Sequence, residues 1–299
     1  MKRITVVGAA NVDIIATPVG RYVPCDSNPA RVEISYGGVG RNIAHNLSLL
    51  GVGTRLVTVF GDDGIALSLR DHCRDAGLVI DPFHEVAGAR SNYFICVNDD
   101  HGDMQAGAAD MALMEHLTPE VLAMYVALIN EGDACAVDCN VTPEALRYVA
   151  KRSLVPIYID ATSAAKAVKI KELFELDHAA PVILKLNRAE ARALVSDKDS
   201  LADIAAELLE RGISRVYITQ GPDGIYCRDR AGEFELPSRA IDIVNATGAG
   251  DAFTAGVIYG EINGLDPRKA AALGVEAAAL ALQSPCAISD EIKTLKIIK

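Results

Sequence analysis

Residues 245–253 read Asn-Ala-Thr-Gly-Ala-Gly-Asp-Ala-Phe, a run of small side chains that closes a polar loop and opens a long helical pattern. Small residues let consecutive backbone N–H groups converge on one anion, and a helix start adds a partial positive charge. Gly248, Ala249 and Gly250 thus form a candidate anion hole. Asp251 stands beside it, where the helix dipole favours the carboxylate form, and a carboxylate there could take a proton from a hydroxyl attacking phosphorus. A glycine-rich helix start with Asp251 as a simple cap fits the spacing equally well. The segment lacks the Gly-Lys-Ser/Thr of a P-loop, which counts against a Walker-type nucleotide hydrolase.

Other short segments carry weaker versions of the same message. Residues 37–42, Gly-Gly-Val-Gly-Arg-Asn, put adjacent glycines Gly37 and Gly38 before Asn42, whose amide both donates and accepts and so suits a vicinal diol. A tight turn with a capping asparagine reads as well. Asn11 and Asp13 are two apart, on one side of an extended chain, where Asp13 could accept two hydroxyl protons from a sugar; a solvated strand end is the plainer alternative. Asn187 and Glu190 share a face at a helix start and could hold Mg2+ through its waters, or Glu190 could simply meet the helix dipole. Residues 219–224, Thr-Gln-Gly-Pro-Asp-Gly, could present Thr219 and glycine amides to phosphates, or form only a hairpin turn. His45 and the other histidines show no ligand spacing.

Chemistry of this kind needs a scaffold that brings distant loops together. Short β-branched runs at 4–7, 55–59, 134–137, 157–159, 182–184 and 216–219 alternate with amphipathic helical patterns, which predicts an α/β fold with central strands and helices on both faces. A helix is expected over 42–50, stopped by Gly51, and further helix starts at Thr118-Pro119 and Thr142-Pro143. Residues 31–36 alternate polar and apolar, and 92–97 with 104–106 read as a hairpin around 99–102. With 12–17 these predict a small antiparallel sheet, a lid inserted from about 12–36 and 91–107 into one domain spanning 1–299. Its apolar face must cover something or meet a second copy, which predicts a homodimer through the lid.

A chain of 299 residues with 50% hydrophobic and 23% charged residues is long enough for a large core and is neither disordered nor fibrous. A net charge of −11 argues against nucleic acid and anionic membranes as partners. The seven cysteines form no zinc-like spacing and read as buried, reduced thiols. The apolar start at 1–8 is interrupted by Asn11 and Asp13 and reads as a strand rather than a signal peptide, and no run is long enough to span a membrane. A cytoplasmic location is expected.

In their order along the chain these segments resemble the ribokinase-like (PfkB) family of sugar and nucleoside kinases, over nearly all residues. Gly37 to Asn42 matches one family signature, and Thr247-Gly248-Ala249-Gly250-Asp251 matches the other. The resemblance implies an α/β, ribokinase-like three-layer sandwich with a mainly parallel central sheet and a small β-sheet lid. It further implies that Asp251 is the catalytic base, that Gly248, Ala249 and Gly250 supply the anion hole, and that Asp13, Gly38 and Asn42 hold sugar hydroxyls. Asn187 and Glu190 would position Mg2+ and nucleotide, and Thr219 and Gly221, with Gly224 closing the same turn, would contact ATP. Within the family the chain is most similar to the branch acting on pseudouridine, through Asp26-Ser27-Asn28-Pro29, residues 37–44 and Asp138-Cys139-Asn140. That similarity implies phosphorylation of the 5′-hydroxyl, with Ser27, Asn28 and Asn92 as candidates for reading the base.

The sequence also departs from the family pattern. Asn245 replaces an aspartate that in ribokinase belongs to a monovalent-cation site, and a neutral amide there would weaken K+ binding, which counts against K+ beside ATP and Mg2+. Leu186 replaces a common proline, and the helix near Glu276 lacks an asparagine often found close to adenine. Competing expectations are ribokinase or another sugar or nucleoside kinase of the same family, and a ligand-binding sensor or scaffold with the kinase fold. A dinucleotide enzyme is disfavoured because Gly8 lacks spaced partner glycines.

Overall fold

Strands with apolar side chains on both faces demand helical cover on both sides. The computed structural model describes residues 1–174 and 176–297 and supplies that cover. Its strands are β1 (Arg3–Val7), β2 (Asn11–Pro18), β3 (Ala30–Gly37), β4 (Gly53–Val57), β5 (Val59–Gly61), β6 (His84–Val86), β7 (Asn92–Asn98), β8 (Met104–Asp110), β9 (Ala134–Asp138), β10 (Ile157–Asp160), β11 (Val182–Asn187), β12 (Arg215–Thr219), β13 (Ile225–Asp229) and β14 (Gly232–Leu236). The helices are α1 (Val39–Leu49), α2 (Gly64–Asp75), α3 (Pro119–Ala123), α4 (Val126–Asn130), α5 (Pro143–Arg152), α6 (Ala164–Ala167), α7 (Arg188–Leu194), α8 (Leu201–Glu210), α9 (Ala249–Ile262) and α10 (Pro267–Leu282).

Eight strands form one sheet in the order β14-β13-β12-β11-β10-β9-β1-β4, parallel except for the terminal hairpin β13–β14 and its pairing with β12. Side-chain parity sorts the core into two layers. Cys135, Val137, Ile157, Ile159, Leu184, Val216 and Ile218 face α3, α4, α5, α7 and α8. Ala134, Ala136, Tyr158, Ile183 and Tyr217 face α1, α2, α9 and α10. The helix expected over 42–50 starts three residues earlier, at Val39, with Gly38 at its N-cap and Asn42 inside it, while other ends follow local chemistry as expected. Thr142 Oγ1 accepts from the Ala145 amide before Pro143, and Gly51 takes a left-handed φ of 79° after α1.

The run read as one central strand over 55–59 is instead two pieces. β4 is the edge of the large sheet, and β5 pairs separately with β6. The reason is partner length: β1 ends at Val7, opposite Val57, so the chain beyond Thr58 must find another neighbour. The β13–β14 hairpin, absent from the expected strands, extends the opposite edge.

A four-stranded sheet in the order β3-β2-β7-β8 stands apart from the large one. It is mixed rather than antiparallel, because β2 and β7 pair in parallel with Asn11 opposite Asn92. Both strands run from the same starting point, and each returns through its own hairpin, β2–β3 and β7–β8. Five of the seven cysteines are buried, whereas Cys25 and Cys286 are exposed; both lie in loops, where there is no core to bury them. Among the described residues no helix is long and apolar enough to cross a membrane.

Candidate active site

Parallel strands leave their carboxyl ends along one rim of a sheet, and ligands of open α/β sheets bind there. The last residues of four neighbouring strands at that rim are Asp138, Asp160, Asn187 and Thr219, with Lys185 two positions before Asn187. Parity places all five on the face covered by α1 and α9, since they continue the series of Ala136, Tyr158, Ile183 and Tyr217. One face of one rim thus collects the polar side chains of an otherwise apolar sheet.

The start of α9 closes over this rim. Gly248 caps the helix with φ 82°, where no side chain is tolerated because a Cβ would overlap the Ala287 carbonyl oxygen. With no side chain to cap the helix, the first-turn amides of Ala249, Gly250 and Asp251 stay open to a ligand. Asn245 braces the preceding loop: its Oδ1 accepts from the Thr247 amide at 2.9 Å, and its Nδ2 donates to the Pro285 carbonyl at 3.1 Å. An aspartate could not make the second bond.

Asp251 is 7% exposed. Its Oδ2 accepts from Asn42 Nδ2 at 2.7 Å, so the two glycine-rich segments, distant in sequence, meet at this carboxylate. Burial and the neighbouring Asp160 carboxylate raise Asp251 to about 8, against the Asn42 hydrogen bond and the Lys185 charge. The helix dipole favours the carboxylate form, but desolvation and like charge act against it here. Beneath it, Lys185 Nζ lies 3.2 Å from Asp160 Oδ2, and Thr254 Oγ1 donates to the same oxygen at 3.0 Å. A Cβ on Gly250 would stand 2.6 Å from Lys185 Nζ, which places the ammonium directly under the anion hole. Burial lowers the Lys185 pKa, but Asp160, Glu190 and Asp251 outweigh it and hold the pKa above the ordinary value.

On the other side of Asp251, the segment 37–42 is anchored by Asp138. This buried carboxylate accepts from the amides of Ala9 at 2.9 Å, Gly40 at 2.7 Å and Asn140 at 2.8 Å, tying three chain segments to one rim. Gly38 precedes α1, and Gly37 carries the Asp13 carboxylate against its Cα, since a Cβ there would overlap Asp13 Oδ2. Asp13 accepts from Asn11 Nδ2, and burial raises its pKa against that bond and the Arg41 charge. Asn92 is buried opposite Asn11 and donates to the Ala10 carbonyl at 3.1 Å, leaving its Oδ1 without a partner among the described residues. Asn42 Oδ1 is likewise buried and unpartnered, as is the whole amide of Asn46 one turn further along α1. Unpaired buried acceptors beside Asp13 and Asp251 suit ligand hydroxyls.

Ser27 and Asn28 lie elsewhere in character. Both sit in an exposed or half-exposed loop, and Asn28 spends its amide on Val23 N, Val23 O and Asp26 O at 2.8, 2.9 and 3.0 Å. The loop closes on itself through Asn28, while the Ser27 side chain is exposed.

The third group borders a cavity of about 640 Å³ between Thr219, Ile225, Ile243, Gly250, Phe253 and Ala279. Its walls are mainly apolar. Thr219 Oγ1 donates to the Leu186 carbonyl at 3.3 Å, while Gly221 and Gly224 bound the turn at its rim. Asn187 caps α7 and forms a reciprocal box with Glu190: Asn187 Oδ1 accepts from the Glu190 amide at 2.9 Å, and Glu190 accepts from Asn187 N and Nδ2 at 2.7 and 2.8 Å. Glu190 is 2% exposed, and each of its oxygens already holds one donor. That donor set fits a magnesium ion held through water, not one bound directly. Among the described residues no group of three or more acidic, histidine or cysteine side chains forms a direct metal site.

Reading the sequence for motifs misses Lys185 and Asp160 and takes Asp138 only as part of the 138–140 motif, without its role; the three hold the site together electrostatically. A signal existed. Each is a charged residue at the carboxyl end of an apolar central strand, where burial without function would be costly.

The model of the pfkB family carbohydrate kinases matches residues 1–294. A pseudouridine kinase of Escherichia coli (strain K12) is 32% identical over 269 residues, covering 88% of this chain and 84% of that protein. Among solved structures, a ribokinase from Thermotoga maritima superposes with a TM-score of 0.87 at 22% identity, covering 98% of both chains. An Arabidopsis thaliana ribokinase, complexed with ribose and ATP, superposes with a TM-score of 0.84 at 18% identity, again over 98% of both.

Proposed function

Because this chain belongs to the pfkB family of carbohydrate kinases, we propose that it transfers the γ-phosphoryl group of ATP to the 5′-hydroxyl of pseudouridine, giving pseudouridine 5′-phosphate and ADP. The observation that carries the reading is the Asn42–Asp251 contact, which joins a diol-binding segment to a carboxylate beside an amide-lined helix start. The pseudouridine assignment draws on the E. coli relative and on the Ser27 loop; ATP as donor draws on the family and on the ribokinase complexed with ribose and ATP, and its placement on the cavity bordered by Thr219 and Gly221.

Asp13, with Asn11, Gly37, Gly38, Asn42 and Asn92, holds the ribose hydroxyls, and Ser27 reads the base. Asp251 takes the 5′-hydroxyl proton while the oxygen bonds to the γ-phosphorus and the bond to ADP breaks. The amides of Ala249, Gly250 and Asp251 and the Lys185 ammonium stabilise the anionic phosphoryl group in transit. Thr219, Gly221 and Gly224 border the nucleotide. Glu190 and Asn187 would hold magnesium through its water, where the ion neutralises charge on the nucleotide phosphates. Closure of the small sheet over the acceptor excludes water.

Val32, Ile34 and Ile95 are 59%, 64% and 44% exposed on the outer face of the small sheet and form the proposed seam of a homodimer; sedimentation of wild type against Ile34→Lys tests it. The cytoplasm is the proposed location. Activity is decided by incubating the purified chain with ATP, magnesium and a panel of nucleosides and sugars. Pseudouridine should give the highest kcat/KM, and faster turnover of ribose or another nucleoside would replace the acceptor while keeping the mechanism.

A further inference from the structure

Arg41 is 2% exposed, at the third residue of α1. A guanidinium stays charged, and burying it without compensation is costly. Among the described residues no ion pair joins it to a carboxylate; Asp13 and Asp251 act on it only through space. Its fork instead grips backbone. Nε donates to the Gly37 carbonyl at 3.2 Å, Nη2 donates to the Tyr36 carbonyl, and Nη1 meets His45 Nδ1 at 3.3 Å. His45 is pushed down to about 4, chiefly by burial, so its ring is neutral and can accept. Tyr36 stacks on His72 with ring centroids 4.6 Å apart, adding a second tie at the same strand end.

These contacts matter because of what rests on the gripped backbone. Gly37 is the surface against which the Asp13 carboxylate lies, and Asn42, the residue after Arg41, donates to Asp251. We propose that Arg41 is a positioning residue for acceptor binding: its buried fork fixes the end of β3 to α1 and thereby sets Asp13 against Gly37 at the distance that the acceptor hydroxyls require. The inference rests on the proposed role of Asp13 in holding the acceptor. It concerns geometry, so charge alone does not substitute. A lysine keeps the charge and loses the two-carbonyl grip.

The test measures pseudouridine and ATP affinity, kcat and amide exchange for wild type, Arg41→Lys and Arg41→Gln. Both variants should weaken pseudouridine binding about tenfold or more, with ATP affinity changed less than about twofold and saturated kcat lowered less than about threefold. In an Asp13→Asn background, Arg41→Lys should add less than about twofold, because both changes remove one interaction. Without any ligand, amides of residues 36–42 should exchange faster in Arg41→Lys while the central strands do not. Should the arginine variants fail to fold, His45→Phe loosens the same fork, and a loss of about threefold in pseudouridine affinity alone is expected. Equal weakening of both ligands, full additivity with Asp13→Asn, or unchanged exchange over 36–42 overturns the proposal. A wild-type chain that phosphorylates no acceptor refutes the kinase reading instead, and the exchange result then still decides whether Arg41 holds the strand.

Discussion

The rim beneath α9 and the small sheet with its 23–28 loop are built on different principles. Around Asp251, polar side chains are buried or nearly so and meet groups from other elements: Asn42 from α1, Asp160 from β10, Lys185 from β11. Around residues 23–28, polar groups are exposed and bond to neighbours a few positions away, as Asn28 does with Val23 and Asp26. The contrast teaches where rigidity is placed. On the function proposed above, phosphoryl transfer needs fixed charge in a dry setting, and the exposed 23–28 loop is left to read the acceptor.

The sharpest way to break this contrast is at its buried pole. Asp251→Asn should lower kcat by roughly 10² to 10⁴ while leaving nucleoside affinity nearly unchanged, as read by steady-state kinetics beside calorimetric titration. The same variant carries a stability signature. A carboxyl raised by burial costs the fold nothing below the ordinary carboxylate pKa and its full penalty above about 8, so the asparagine variant should melt higher than wild type in alkaline buffer.

Lys185→Met should follow, with kcat down on the order of 10²-fold. Because the ammonium lowers the Asp251 pKa, its loss also moves the acidic limb of kcat/KM, near pH 8 in the free enzyme, to higher pH. Unchanged pH dependence would detach Lys185 from the base. Asn42→Ala should cost about tenfold in kcat/KM and shift the limb in the same direction, since it deletes a hydrogen bond to the ionised form. At the exposed pole the effect should be smallest. Ser27→Ala is expected to change the ratio of pseudouridine to uridine turnover by about tenfold or less, with the ATP KM unchanged. A loss there as large as that from Asp251→Asn would erase the distinction between the two regions.

Much of the fold is written locally. Val-Ile-Leu at 182–184 or Ile-Tyr-Ile at 157–159 specify buried strands by composition, and Thr142-Pro143 specifies a helix start by its own hydroxyl. Pairing partners are not local, which is why the run at 55–59 divides between two ladders and why β2 and β7 run in parallel.

The same division governs the site. The candidate anion hole is made of consecutive backbone amides, so Gly248, Ala249 and Gly250 announce it within a few residues, as Gly37 to Asn42 announce the start of α1 that meets it. The Asn187–Glu190 pair is equally local and shows its capping role in its spacing. Whether Asp251 carries an ordinary or a raised pKa, and which charges lie under Gly250, depend on Asp160 and Lys185, which parity and parallel register bring to one rim from distant strands. Backbone chemistry acts over a turn and is legible in sequence order; electrostatic fields and desolvation act through space, and only the packed tertiary structure sets their distances.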